Sequence, residues 1–115
     1  MKIAITAEGK DKTSAPDPRF GRAAYFVVME GDTGEIIEAI ENEMKNASGG
    51  AGVSAAQNVA GLGVDVLITG ALGPKAFSVI NQIGLDVYAH QNEKTIEDTY
   101  KAFKEGRLER ISKAK

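Results

Sequence analysis

The stretch VDVLITGALGPK, residues 64–75, decides the fold class of this chain. Its first six residues form an apolar run broken only by Asp65, which suits a parallel strand covered on both faces. The glycines then end the strand, and Pro74 fits the first turn of a helix because no N–H is needed there. Apolar residues at helical spacing follow, namely Ala76, Val79, Ile80 and Ile83. The stretch therefore predicts a buried strand that leads through a tight turn into a helix.

The segments on either side extend this pattern into an α/β domain. Further strands are predicted over residues 2–6, 24–29, 35–40 and 85–89. The turn sequence at residues 31–34 makes the second and third strands a hairpin. A helix is predicted to end at Gly61, and another to begin at Thr95, where Asp98 completes a capping-box variant. The order β, hairpin, α, β, α, β, α predicts one mixed five-stranded sheet with helices on its faces.

Length and composition describe one globular domain. The chain has 115 residues, of which 43% are hydrophobic and 26% charged, enough for a core without disulfides. We expect a single domain over residues 1–115, with a mobile tail over about residues 108–115. The net charge is −2 and no window approaches the length of a membrane span, so we expect no nucleic-acid or membrane binding. The N-terminus lacks a signal-peptide pattern, which favours a cytoplasmic protein.

Two residue types limit the available chemistry. The chain has no cysteine, which excludes disulfides, thiol catalysis and iron–sulfur clusters held by its own thiolates. Its single histidine, His90, is expected to be exposed or hydrogen-bonded rather than a metal ligand. No nucleophile is paired with a base, and strand 2–6 lacks the carboxylates of a two-metal nuclease. We therefore predict a protein without catalytic activity.

Two glycine-containing bends are candidate anion-binding sites. Open α/β sheets bind ligands at the carboxyl ends of strands, beside helix N-termini. Gly49-Gly50-Ala51-Gly52 stands at the entrance of the first helix, where free N–H groups and the helix dipole favour an anion. Gly70-Ala71-Leu72-Gly73-Pro74-Lys75 follows the buried strand, and its lysine adds positive charge. The alternative is that both segments are tight turns, which need glycine in any case.

The segment Arg19-Phe20-Gly21-Arg22 is a third candidate. Two guanidinium groups flank an aromatic residue and a flexible glycine, and arginine suits bidentate contacts with oxyanions and other planar acceptors. The alternative is a solvated loop that Phe20 anchors to the core.

A set of motifs in a fixed order makes the interpretation more specific. The motifs are Arg19-Phe20-Gly21-Arg22-Ala23, Glu41-Asn42, the bend at 49–52, VDVLITG at 64–70 with GPKAF at 73–77, GLDVY at 84–88 and TIED at 95–98. Together they resemble the dinitrogenase iron–molybdenum cofactor biosynthesis family, and the resemblance spans roughly residues 1–110.

The resemblance implies both a fold and a function. The fold is a ribonuclease H-like three-layer α/β structure whose first three strands are antiparallel. The function is non-catalytic binding or transport of iron–molybdenum cofactor or a precursor iron–sulfur cluster, held transiently and not as a permanent cofactor. The implied partners are nitrogenase-assembly or cluster-donor proteins. The expected ligand-binding residues are Arg19, Phe20, Gly21, Arg22, Asn42, Gly49, Gly50, Ala51, Gly52, Gly70, Gly73 and Lys75.

One departure from the pattern of the family bears on ligand binding. Members with carrier roles often have histidine directly before the Phe-Gly pair, where this chain has Arg19. Arginine stays protonated and is a poor metal ligand, so the expected contact with an anionic cluster is electrostatic rather than coordinate. The alternative function is a phosphate- or nucleotide-type anion-binding module that uses the same loops.

Overall fold

The computed structural model of this protein describes residues 1–43 and 50–112. It alternates strands and helices in the predicted α/β order. The elements are β1 (Lys2–Ala7), β2 (Tyr25–Glu30), β3 (Ile36–Glu41), α1 (Ala51–Ala60), β4 (Val66–Thr69), α2 (Pro74–Ile83), β5 (Asp86–Ala89), α3 (Ile96–Lys104) and β6 (Glu109–Arg110).

All the strands belong to one mixed sheet with the order β3-β2-β1-β4-β5-β6. β1 lies at its centre, pairing antiparallel with β2 and parallel with β4. β3 pairs antiparallel with β2, which confirms the prediction that the first three strands are antiparallel. β4 and β5 are parallel, so β1, β4 and β5 end at the same edge of the sheet. The segments that follow these strand ends meet at that edge.

The prediction of five strands is wrong, because the described part of the chain has a sixth. β6 pairs antiparallel with β5 through Tyr88 with Arg110 and Ala89 with Glu109. The Ile111 N–H also donates to the Val87 carbonyl at 2.8 Å. Both residues of β6, Glu109 and Arg110, are charged and show no apolar alternation. The sequence therefore predicted a tail and not a strand here. The ribonuclease H-like classification stays a prediction.

Helices cover both faces of the sheet, as predicted. On one face, α1 and α2 pack against alternate strand residues, including Ala4, Phe26, Val28 and Leu67. On the other face, α3 packs against the intervening residues, such as Ile3, Ile5, Val27 and Ile68. This period-two division makes β1, β2 and β4 apolar on both sides. The result is three layers with a core above and below the sheet.

The helix ends agree with the capping signals in the sequence. The Thr95 side chain accepts a hydrogen bond from the Asp98 N–H at 3.0 Å, which confirms the capping-box variant. Pro74 is the first residue of α2. Helix α1 begins at Ala51, and its N-cap Gly50 has a φ of 72°, in the left-handed region that glycine favours. The second glycine of the 49–52 bend therefore has a conformational role.

Two negative findings apply to residues 1–43 and 50–112. None of their helices has the length and apolar character needed to cross a membrane. Nor do these residues bring three His, Cys, Asp or Glu side chains together in a group that could hold a metal ion.

We predict that Gly70→Ala destabilises the protein, because the loop before β2 lies directly on the backbone of Gly70. A Cβ at this position would contact the Pro18 carbonyl oxygen and would lie 2.6 Å from the Pro18 Cα. The loop must shift to relieve this overlap, at a cost of about 1–3 kcal/mol. Gly73→Ala is the matched control, since Gly73 has an extended backbone and a Cβ there would have no neighbouring atom within 4 Å.

Urea unfolding of the two variants measures the difference. Gly73 is the N-cap of α2, where alanine is less favourable than glycine, so Gly73→Ala is expected to cost about 0.5–1 kcal/mol, less than Gly70→Ala. Equal stabilities for the two variants would contradict the close contact between the loop and the end of β4.

Candidate functional site

An open cavity of about 560 Å³ lies at the edge of the sheet where β1 and β4 end. Three segments of the chain surround it: the loop before β2, the start of α1, and the β4–α2 turn with the first turn of α2. The lining residues are Arg19, Phe20, Gly21, Arg22, Gly50, Gly52, Val53, Ala71, Gly73, Pro74, Lys75 and Ala76. This is the place where open α/β sheets commonly bind ligands.

The loop before β2 is fixed against the start of α1 by close backbone packing. A Cβ on Gly21 would lie 2.7 Å from the Gly52 nitrogen and 2.8 Å from the Gly52 Cα. Only glycine allows this approach. Phe20 is 4% exposed and packs against Phe26 in the core. The centroids of the two rings are 5.9 Å apart. Phe20 therefore anchors the loop, as one of the two interpretations of this segment expected, and also forms part of the cavity wall.

Among the residues that the structure describes, the cationic side chains that line the cavity are those of Arg19, Arg22 and Lys75. The Arg19 side chain is 62% exposed. Lys75 lies in the first turn of α2 and is exposed, and it makes no ion pair with a residue that the structure describes. The other described residues of the wall are glycine or apolar. The cavity therefore combines positive charge with apolar surface.

The two helices that open on the cavity lack negative charge where they begin. Neither α1 nor α2 has an acidic residue in its first turn or a side-chain cap on its N-terminus. Helix α3, on the opposite face, has both a Thr95 cap and two acidic residues, Glu97 and Asp98, in its first turn. Because helix N-termini attract anions, an anion in the cavity would meet no competing carboxylate from α1 or α2.

A buried carboxylate, Asp17, holds the cationic loop in place. Its side chain is 1% exposed. Asp17 Oδ1 accepts from the backbone N–H and the Nε of Arg19, both at 3.0 Å, and Oδ2 accepts from Arg19 Nη2 at 2.9 Å. The Ala24 N–H also donates to Oδ2 at 3.3 Å. This bidentate contact uses two of the five N–H donors of the guanidinium and fixes its orientation.

The bonding of Asp17 determines its charge state. Burial alone would raise the pKa of the Asp17 carboxyl, but hydrogen bonds from the Arg19 side chain and backbone, the Arg19 charge and the Ala24 N–H together outweigh burial. The pKa of Asp17 is therefore lowered below its ordinary value. The same contact raises the pKa of Arg19. Both groups stay charged at neutral pH.

The structure brings most of the residues predicted for the site into the cavity wall. These are Arg19, Phe20, Gly21, Arg22, Gly50, Gly52, Gly73 and Lys75. Ala51 and Gly70 belong to the same segments but do not line the cavity. Gly70 instead contacts the backbone of Pro18. Gly49 lies outside the described residues.

Asn42 lies behind the loop and not in the wall. Its side chain is buried, and its Nδ2 donates to the carbonyls of Gly21 and Ala23, both at 2.9 Å. Asn42 therefore supports the loop that carries the arginines. A direct contact of Asn42 with a ligand stays a prediction.

The sequence interpretation missed several residues of the site. Val53 and Ala76 line the cavity although their pattern indicated only core positions. Ala71 and Pro74 belong to the second candidate bend and line the cavity too, although they were not among the expected ligand-binding residues. Asp17 was missed as well. The signal was an acid between Pro16 and Pro18, two residues before an arginine. A residue before a proline favours an extended backbone, so the backbone at Asp17 is restricted. This restriction favours a fixed contact of the Asp17 side chain over a mobile, solvated carboxylate.

We predict that Asp17→Asn lowers stability at pH 7 and removes part of its dependence on acid pH. Asparagine has an NH2 group in place of one carboxylate oxygen, so an N–H donor would face the N–H groups of Arg19 or Ala24. The loss of this accepting oxygen is expected to lower the free energy of unfolding by about 1.5–3 kcal/mol. In the wild type, the pKa of Asp17 is lower in the folded than in the unfolded state. The contribution of Asp17 to folding stability is therefore complete at pH values above its unfolded-state pKa of about 3.9, and it is lost as the pH falls through its lower folded-state pKa.

Urea unfolding between pH 7 and pH 2 tests this expectation. The wild type should lose more stability than Asp17→Asn over the acid part of this range. Parallel stability curves for the two proteins would contradict the bonding of Asp17 described above.

Sequence and structure comparisons identify relatives over nearly the whole chain. An uncharacterized protein of Methanocaldococcus jannaschii is 39% identical, with 96% of this chain and 92% of that protein covered. The apo form of the orange protein from Desulfovibrio gigas has a TM-score of 0.91 and 37% identity, covering 99% of this chain and 95% of that one. A Thermotoga protein described as NifB-like and of the DUF35 family has a TM-score of 0.84 and 33% identity, covering 99% and 96%.

The family of the chain follows from a direct match. Residues 1–106 match the family described as dinitrogenase iron-molybdenum cofactor, in agreement with the resemblance seen in the motifs. This chain belongs to the dinitrogenase iron-molybdenum cofactor family.

Proposed function

We propose that this protein is a non-catalytic binding or carrier protein for iron–molybdenum cofactor or a precursor iron–sulfur cluster. The observation that carries the proposal is the cavity lined by Arg19, Arg22 and Lys75 in a chain of this family. The orange-protein relative was solved in an apo form, which implies that it also has a ligand-bound form. Proteins that assemble nitrogenase or donate clusters are the proposed partners.

The size and surface of the cavity fit a preassembled cluster. A volume of about 560 Å³ is within the range of small-molecule and cofactor sites. Metal–sulfur clusters are anions with polarizable sulfide surfaces, so they match a site that combines cations with apolar walls. The chain has no cysteine, so a cluster would be bound as a complete unit and not built on protein thiolates.

Arg19 is suited to electrostatic binding and not to coordination. Asp17 already fixes the Arg19 guanidinium at 2.9–3.0 Å, so little side-chain entropy is lost when a ligand binds. The guanidinium stays protonated and offers no lone pair to a metal. An arginine at this position therefore binds a cluster through its anionic surface and allows its later release. Such reversible binding is what a carrier requires.

We predict that Lys75→Gln weakens cluster binding about two- to fivefold, which corresponds to the 0.5–1 kcal/mol of an exposed charge pair. Lys104→Gln is the matched control, because it removes the same charge from α3 on the opposite face of the sheet. Anaerobic titration with isolated iron–molybdenum cofactor, followed by absorbance and by co-elution, measures the affinities.

The outcomes of this titration are distinct. Wild type and Lys104→Gln are expected to bind equally well, and Lys75→Gln more weakly, with the difference decreasing as salt is added. Absence of binding by the wild type would overturn the cluster-carrier function. Equal weakening by both lysine variants would place the cluster outside this cavity.

A second candidate function is the binding of a phosphate- or nucleotide-type anion. The observation in its favour is that α1 and α2 both begin at the cavity without acidic residues. Free N–H groups at a helix N-terminus are a common phosphate site.

A thermal-shift comparison separates the two functions. A ligand present at 100 times its Kd stabilises the folded state by about 2.7 kcal/mol, which raises Tm by about 10 °C for a domain of this size. We expect isolated cofactor to raise Tm, and inorganic phosphate and ATP to leave it unchanged. A rise with phosphate or ATP alone would favour the second function over the first.

A further inference from the structure

Three neighbouring parallel strands carry buried polar residues at or next to their carboxyl ends. Thr6 of β1 and Thr69 of β4 are fully buried, and His90, directly after β5, is 8% exposed. The Thr6 and Thr69 hydroxyls lie 2.9 Å apart. The His90 backbone N–H donates to the Thr69 carbonyl at 3.1 Å. The His90 ring is also hydrogen-bonded, to the Asp17 carbonyl, as one alternative for this residue expected, so His90 belongs to a polar row that runs across the strand ends.

This polar row holds the backbone of Asp17. The Asp17 N–H donates to the Thr6 carbonyl at 2.8 Å. The Asp17 carbonyl lies 2.7 Å from Thr6 Oγ1 and 3.1 Å from His90 Nε2. The side chain of the same residue holds Arg19 and Ala24. Asp17 thus connects the strand ends to the wall of the cavity.

The protons in this network can be assigned from chemistry. A carbonyl oxygen only accepts, so both Thr6 Oγ1 and His90 Nε2 must donate to Asp17. Thr6 has a single hydroxyl proton, so the Thr69 hydroxyl must donate to Thr6 and not the reverse. The neutral form of the His90 ring must therefore be the Nε2–H tautomer.

We propose that His90 is a positioning residue for the cavity. Its Nε2–H holds the Asp17 carbonyl, and Asp17 in turn holds Arg19 in the orientation that receives an anionic ligand. His90 itself does not line the cavity, so it acts through Asp17 and not on the ligand. The link to ligand binding rests on the proposed function of the cavity, whereas the link to the loop does not.

The test compares two substitutions of His90. His90→Gln keeps an N–H donor on a side chain of similar reach, and His90→Leu fills the space without a donor. We expect His90→Leu to bind isolated iron–molybdenum cofactor at least tenfold more weakly, and His90→Gln to stay within about threefold of the wild type. Thr6→Val, which removes the other donor to the same carbonyl, is expected to behave like His90→Leu and serves if that variant fails to fold.

Amide hydrogen exchange of the ligand-free proteins reports on the loop directly. The Arg19 and Ala24 N–H groups are expected to exchange at least tenfold faster in His90→Leu than in His90→Gln, with a smaller change at Leu67 in the centre of the sheet. Uniform acceleration at all three positions would show a role in global stability only and would overturn the proposal. So would unchanged exchange at Arg19 and Ala24.

A measurement on the wild type needs no substitution. Nitrogen-15 NMR of the neutral His90 ring should show a protonated Nε2 and an unprotonated Nδ1, and the opposite tautomer would overturn the proposal. If the wild type fails to bind the cofactor, the proposed function fails, while the exchange and tautomer results still decide whether His90 positions the loop. If the wild type binds and His90→Leu binds equally well, the positioning role fails alone.

Discussion

The bonded carboxylate of Asp17 is the constraint on which the cavity depends. Arg19 would otherwise be a flexible side chain on a surface loop, and its orientation would cost entropy each time a ligand bound. Asp17 removes this cost because it is buried, charged and bonded to both the backbone and the side chain of Arg19. A buried charge without these partners would be strongly destabilising, so the ion pair and the loop conformation require each other.

The topology of the sheet explains why Asp17 is in this place. β1 is central, antiparallel to β2 on one side and parallel to β4 on the other. The chain that leaves β1 returns to β2 through the loop that contains Asp17, while the chain that leaves β4 turns into α2. Both segments start at the same edge, and α1 begins beside them because Gly21 allows its backbone to approach Gly52 closely. The cavity is the space between these three segments.

Much of this arrangement could be predicted from the sequence, because it is encoded in local patterns. The apolar run of β4, the proline at the start of α2 and the capping pair Thr95 and Asp98 each determine their own element. The glycine-rich and arginine-containing segments indicated the cavity, because parallel strand ends share one edge.

Other features depend on contacts between distant residues and could not be predicted in this way. β6 has only two residues, and its pairing with β5 gives no periodic signal. The Asp17 carboxylate is bonded to neighbouring residues, but its backbone carbonyl is bonded to Thr6 and His90, which lie 11 and 73 residues away in the sequence. Asn42 bonds the carbonyls of Gly21 and Ala23 from behind the loop, a supporting contact that its motif did not indicate, and its contact with a ligand stays a prediction. A family motif indicates that a residue is important, but it does not show whether the residue lines the cavity or supports the loop that does.

The most direct test of the account is anaerobic NMR mapping of nitrogen-15-labelled protein during titration with isolated iron–molybdenum cofactor. We predict that backbone amide signals shift or broaden in the three segments around the cavity, at Gly21, Gly52 and Lys75, and stay unchanged in α3 on the opposite face. Changes centred on α3 or on the acidic β2–β3 hairpin, or no changes at all, would contradict the claim that this cavity receives the cluster.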